Sequence, residues 1–229
     1  MKERPILFSG DMVRALLEGR KTQTRRAVKI NAAGRVQRAG KQWHIEDPNA
    51  AMACPYGQPG DRLYVKESHW AWGRWETQFD AKKGRDAWHF IDMTLECGKS
   101  YQFKQPVPIG TRFGVSPAWH KRPSLFMPRH ASRILLDVST VRVERLQEIS
   151  KVDACREGLF AERYDWRVSE FYLDDMAYRS APDAQVRYSD PRHAFKELWE
   201  SINGTGSWAA NPWAWVVEFR VAEPSEVTA

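Results

Sequence analysis

The pattern of apolar and polar positions changes character several times along the chain, and each change marks an element. Between Asp11 and Gly19 apolar residues fall at Met12/Val13 and Leu16/Leu17, the spacing of one helix face. Ser9 or Asp11 can cap this helix and Gly19 can close it. From Lys21 to Ile30 the helical period is lost and threonines alternate with their neighbours, which predicts an extended segment. Residues 31–58 are rich in Gly, Ala and Asn and predict a long loop with one hairpin around Val36–Ile45. A turn at Pro59-Gly60-Asp61 feeds a strand, Arg62-Leu63-Tyr64-Val65-Lys66-Glu67, whose Leu63 and Val65 alternate with polar neighbours. Residues 68–120 are aromatic, charged and weakly periodic; an inserted lid with short strands is expected there, one of them at Ser100–Phe103.

After an irregular stretch from Pro123 to Arg129, two strands are predicted, Ser132–Leu136 and Asp137–Arg145, the second carrying Val138, Val141 and Val143. Ile149–Gly158 reads as a short helix capped by Ser150, with Asp153 three residues on. Residues 159–190 form a third variable stretch. Pro191–Ile202 places Ala194, Phe195, Leu198, Trp199 and Ile202 on one helical face and stops at Asn203-Gly204. Ala214–Val221 closes as a strand, and the tail after Glu223 is expected to fray. Many short strands, few helices and no alternation of strand and helix predict an α+β fold: a small β-barrel or sheet with peripheral helices, in one domain over residues 1–229.

Composition narrows the class. Hydrophobic residues are 42% and charged residues 28% of the 229, which excludes disordered and collagen-like chains. No apolar run approaches the roughly 20 residues that span a bilayer, and MKERPILFSG lacks a signal-peptide core, so no membrane partner and a cytoplasmic location are expected. Cys54, Cys97 and Cys155 are odd in number, far apart and outside any CxxC, which speaks against a zinc knuckle and for a reducing compartment. The net charge of +6 and a pI near 9.3 fit a nucleic-acid or nucleotide partner, or simply a solvating surface. Eleven tryptophans supply rings that stack on bases or fill cores, and packing is the reading for most of them. No glycine-rich phosphate loop, GxSxG elbow or HExxH pair is present.

The segment Gly19-Arg20-Lys21-Thr22-Gln23-Thr24-Arg25-Arg26 resembles the GxKxxTxR signature of ASCH domains, members of the PUA-like superfamily. Gly60-Asp61-Arg62-Leu63-Tyr64-Val65 resembles that family's GDxLxV strand. The stretch from Val141 through Leu146-Gln147-Glu148-Ile149 to Glu157-Gly158 resembles its strand and acidic helix, and Trp213-Ala214-Trp215-Val216-Val217-Glu218-Phe219 its last strand. The likeness covers about half the chain and leaves residues 31–58, 68–120 and 159–190 as insertions. Arg4-Pro5-Ile6-Leu7-Phe8-Ser9, Cys54-Pro55-Tyr56-Gly57 and Ser201-Ile202-Asn203-Gly204 resemble the larger phage and prophage members.

The resemblance implies a PUA-like barrel and an amidohydrolase that removes acyl groups from the N4 of cytosine nucleosides or bases, with no metal or other cofactor. It also admits an RNA-binding module, with or without ribonuclease activity, and a phage morphogenesis or interaction protein. The functional trio it carries over is Lys21, Thr24 and Glu157, with Thr24 as nucleophile, Lys21 as base and a protonated Glu157 as acid toward the leaving N4. A lysine that is neutral near pH 7 needs a pKa lowered by about 3.4 units, to which burial and the cations Arg25 and Arg26 contribute. Arg26, Glu67 and Trp70 are candidate substrate-binding residues. Glu148, Glu162 and Glu67 are alternative carboxylates to Glu157, and Cys155 has no recognisable His partner for a thiol mechanism.

Overall fold

The computed structural model describes residues 1–114, 116–168 and 171–223. In chain order its elements are β1 (Glu3–Leu7), α1 (Gly10–Leu17), β2 (Gln23–Ala27), β3 (Arg35–Arg38), β4 (Lys41–His44), β5 (Arg62–Lys66), β6 (His69–Asp80) and β7 (Arg85–Asp92). There follow β8 (Ala118–Arg122), β9 (Leu135–Arg145), α2 (Lys151–Arg156), β10 (Phe160–Val168), β11 (Phe171–Arg179), α3 (Pro191–Asn203) and β12 (Trp213–Val221). The fold is α+β and dominated by strands. It divides into two compact units: one holds Met1–Ile6, Asp11–Tyr64 and the described chain from Ile134, and the other holds Leu7–Gly10 and Val65–Arg133. The 68–120 insertion therefore falls inside the second unit, whereas the other two fall in the first.

The first unit is built on a five-stranded sheet of order β1-β5-β9-β12-β2. Strand β12 lies between β9 and β2, antiparallel to both, so Val216 faces Arg142 on one side and Arg25 on the other. Among the described residues the sheet stays open, with β1 and β2 as its edges, so the closed barrel expected from sequence is not formed by these strands. The two strands predicted at Ser132–Leu136 and Asp137–Arg145 are one strand, β9. Its partner β12 pairs Phe219, Arg220 and Val221 with Val138, Asp137 and Leu136 in succession, so there is no break at Asp137; the register shifts instead between Glu218 and Phe219.

Side chains alternate across this sheet as the two-residue strand period requires. Val217, Val138 and Leu136 are buried, as are Val216 and Phe219. A second apolar cluster joins Leu146, Ile149, Ala154 and Leu159 to Ala194, Phe195 and Trp199, packing α2 against α3. Both helices are capped as their sequences require: Ser150 accepts from the Asp153 amide at 3.0 Å, and Asp190 accepts from Arg192 in a helix opened by Pro191. The hairpin expected around Val36–Ile45 is β3–β4, with Val36 opposite Trp43. Residues 159–190 hold another hairpin, β10–β11, in which Glu162 is paired with Ala177. The tail after Glu223 lies outside the described residues.

The second unit contains a three-stranded antiparallel sheet of order β7-β6-β8. The short strands expected here are instead one long hairpin, in which Gly73 to Asp80 of β6 pair continuously with β7. Both faces of β6 carry apolar residues, Trp70 and Trp72 on one and Ala71 and Trp75 on the other, so although His69, Ala71 and Gly73 are buried the stretch lacks the apolar/polar alternation by which a strand is recognised in sequence. Glycine is required at 73, where a Cβ would stand 2.0 Å from the Ile91 carbonyl oxygen and 2.8 Å from the Phe90 ring. Ser100–Phe103 is not a strand; only Gln102 bridges to Trp70.

Candidate active site

The chain entering β2 is pinned before it reaches the sheet. The amides of Arg20 and Lys21 both donate to the Ala15 carbonyl at the end of α1, at 2.9 and 3.0 Å. The Thr22 amide donates to the Arg156 carbonyl at the end of α2, and the Phe219 amide of β12 donates to the Thr22 carbonyl. Lys21 and Glu157 thereby form an isolated antiparallel bridge. Gly158 makes this approach possible. Its φ is +94°, and a Cβ there would lie 2.9 Å from Ala15 Cβ and 3.0 Å from Lys21 Cβ. Arg20 clamps the same turn by donating to the Gly158 carbonyl at 2.6 Å while its guanidinium covers the Phe160 ring.

The bridge carries a buried ion pair. Lys21 Nζ donates to Glu157 Oε2 at 3.0 Å and to the Glu157 carbonyl at 2.9 Å; the lysine side chain is 0% exposed and the glutamate 4%. The other carboxylate oxygen, Oε1, accepts from Arg25 Nη1 at 3.2 Å. Arg25 Nη2 continues to Glu144 Oε2 at 2.9 Å and Asp153 Oδ2 at 3.4 Å. Arg142 donates in turn to Asp153 Oδ2 at 3.1 Å, to Glu144 and to Glu218. The register explains the cluster, because Arg25, Val216 and Arg142 form one row across β2, β12 and β9. Burial pushes the Lys21 ammonium below its ordinary value, Glu157 works against that shift, and Arg26 and Arg25 add to it. A lysine so placed is suited to taking up and returning a proton, with Glu157 as the acceptor that steadies its charged form.

Of the residues expected from sequence, Lys21 and Glu157 are brought together across 136 positions. Thr24 is buried and lies one place off the row of Arg25, on the face it shares with Val217 and Arg26. Arg26 is opposite Trp215 and acts on Lys21 by charge, whereas the guanidinium bonded to Glu157 belongs to Arg25. Burial lowers the Arg26 pKa, against the pull of Tyr56 and Glu157. Glu67 and Trp70 belong to the second unit. There Glu67 is held by Arg133 through two bonds of 2.9 and 3.0 Å, and Trp70, half-buried on β6, is paired with Lys121.

The alternative carboxylates are engaged elsewhere. Glu148 accepts from the Arg145 amide and Glu162 from Arg179 and Arg187. Burial raises the Cys155 thiol, which is unsuited to a nucleophile. Trp215 is core, and Trp213 carries the Arg145 guanidinium 4.3 Å from its ring. Among the described residues no group of three His, Cys, Asp or Glu side chains stands close enough to hold a metal ion, and no helix is long and apolar enough to cross a membrane. Sequence reasoning treated Arg25 only as a neighbouring charge and missed Glu144, Asp153 and Arg142. The two-residue step from Gln23 to Arg25 hinted at a shared face, but the carboxylates opposite are set by strand register. Comparison with protein families, characterised proteins and solved structures gave no match to this chain.

Proposed function

We propose that this protein is an amidohydrolase that removes acyl groups from the N4 of N4-acylated cytosine nucleosides or bases, on a framework of PUA-like (ASCH) ancestry. The observation that carries the reading is the buried contact of Lys21 Nζ with Glu157 Oε2 at 3.0 Å, made at the positions where the ASCH-like signature and the Glu157-Gly158 pair fall. In this scheme the Thr24 hydroxyl attacks the acyl carbon and neutral Lys21 takes its proton. The tetrahedral adduct collapses with cleavage of the C–N4 bond, and the proton passes from the Lys21 ammonium to N4, releasing the cytosine. Water then hydrolyses the Thr24 ester, with Lys21 taking and returning a proton in the same way. Both Glu157 oxygens accept bonds from cations, so its role is better read as stabilising the lysine's charged form than as donating a proton.

The test is incubation with N4-acetylcytidine and a panel of bulkier N4-acylcytidines, with cytidine release followed chromatographically. Turnover is expected to fall by orders of magnitude in Lys21→Met and in Thr24→Ala, and the double variant should lose little more than either alone. No cytidine from any member of the panel, or undiminished turnover in Lys21→Met, overturns the reading. Loss in Lys21→Met with full activity in Thr24→Ala makes water the nucleophile.

A further inference from the structure

The second unit has charge and aromatic features that the Lys21–Glu157 chemistry does not use. It contains twelve Lys and Arg against six Asp and Glu, so its net charge is +6, equal to that of the whole chain. Cross-strand partners share a face, which puts Trp75 and Phe79 of β6 beside Phe90 and Trp88 of β7, and His120 and Arg122 of β8 on the same side. Phe79 is 69% exposed and Trp88 39%, and Phe113, 78% exposed, packs edge-on against Trp88 at 5.6 Å. The cations of this face lie on its rings: Arg122 stands 4.4 Å from Phe90 and 4.8 Å from Trp75, and Arg112 stands 4.8 Å from Trp75. The turn at the exposed end adds Lys82, Lys83 and Arg85. Two carboxylates share the face, Asp86 opposite Phe79 and Asp92 opposite Gly73, and Asp92 is occupied by Thr94 and Tyr101.

We infer that this aromatic and cationic face of the β7-β6-β8 sheet binds single-stranded nucleic acid. Flat rings accept any base by stacking, and adjacent guanidinium and ammonium groups meet the phosphates. Alternate residues on one strand face are about 7 Å apart, a spacing that lets successive bases of an extended strand reach successive rings. A duplex hides its base faces and cannot use exposed rings in this way. The exposed rings Phe79, Trp88 and Phe113 offer flat faces on which a base can stack. The inference does not depend on the amidohydrolase reading.

The full chain is titrated against a fluorescein-labelled oligouridylate of about a dozen nucleotides, and against the same strand in duplex, by anisotropy over a range of KCl concentrations. The single strand is expected to bind more tightly than the duplex, with affinity falling as salt rises. Trp88→Ala and Phe113→Ala should each weaken binding at least about fivefold, the low end of one base–ring stack. Arg112→Gln should lower the slope of log affinity against log salt by about 0.7. Lys21→Met should leave the affinity unchanged, which separates this site from the hydrolytic one. Phe113→Ser keeps the test open if circular dichroism finds Trp88→Ala unfolded. Equal affinity for duplex, no binding at about 50 mM KCl, or wild-type affinity in Trp88→Ala/Phe113→Ala overturns the inference. So does sedimentation in which these variants lose self-association and not oligonucleotide binding.

Discussion

The two units differ in their balance of charge and in how their central cations are held. In the first, Lys and Arg equal Asp and Glu at twenty-three each, and Lys21, Arg25 and Arg142 are matched by Glu157, Glu144, Asp153 and Glu218 in one connected cluster. In the second, cations outnumber carboxylates two to one, and Arg112, Arg122 and Lys99 rest on the rings of Trp75, Phe90 and Trp72. A buried cation needs an anion, because desolvation without a partner costs several kcal/mol. An exposed cation does not, and a ring beneath it holds the charge in place while leaving it available to a ligand. The first arrangement suits proton transfer inside one molecule, and the second suits recognition of an external anion.

The largest expected effect tests the matching of charge in the first unit. Glu157→Gln removes the carboxylate that accepts from Lys21 and leaves Lys21 and Arg25 close together with a neutral amide between them. Breaking a buried pair from this side should cost about 3–5 kcal/mol of stability, besides abolishing turnover. Lys21→Met breaks the same pair from the other side but leaves Glu157 bonded to Arg25, so the loss should be clearly smaller. Chemical denaturation of both variants checks the order. Equal losses would mean that Arg25 does not support Glu157, and the cluster would then be a set of separate pairs.

Gly158→Ala sharpens the comparison without touching a charge. The new Cβ would meet Ala15 and Lys21 at about 3 Å in a backbone conformation that L residues rarely adopt. Relief requires the Lys21–Glu157 bridge to open, with a cost of about 1–3 kcal/mol in stability and a disproportionate fall in kcat. Gly98→Ala in the second unit, where φ is +63° and the added Cβ meets nothing within 4 Å, carries the backbone strain alone. A fall in turnover confined to Gly158→Ala, seen beside melting curves of both variants, identifies the close approach rather than the φ value as the functional requirement.

How far these features could be read from sequence depended on how local they were. The helix at Asp11–Gly19, the Ser150 cap, the Pro191 helix start and the β3–β4 hairpin are written in a few adjacent residues, and each was legible. Lys21 and Glu157 were legible only through the resemblance of their surrounding motifs, since nothing local at either position points to a residue 136 places away. The involvement of Arg25 with Glu144 was not legible, because it follows from a register shared by β2, β12 and β9. The β6–β7 hairpin was hidden for a different reason: Trp70, Trp72 and Arg74 on one face and Ala71, Gly73 and Trp75 on the other offer no contrast of apolar against polar.

The smallest expected effect concerns the proton on Lys21. Burial holds its folded pKa below the ordinary 10.5, with Glu157 opposing and Arg26 and Arg25 reinforcing the shift. Between the lowered folded value and 10.5 the unfolded chain keeps this proton and the folded chain has lost it. The unfolded state then binds more protons, so this group makes stability rise with pH across that window. Below the window the cost of burying the charge is fully present, and above it the contribution no longer changes. Lys21→Met should therefore flatten the rise, which thermal melts taken at successive pH values will detect. The same titration should set the rising limb of turnover, because the proposed base acts when neutral. Arg26→Gln removes a charge that lowers the Lys21 pKa, so it should move that limb to higher pH. A limb that stays in place in Arg26→Gln, or a stability profile of unchanged slope in Lys21→Met, would show that the group titrating there is not Lys21.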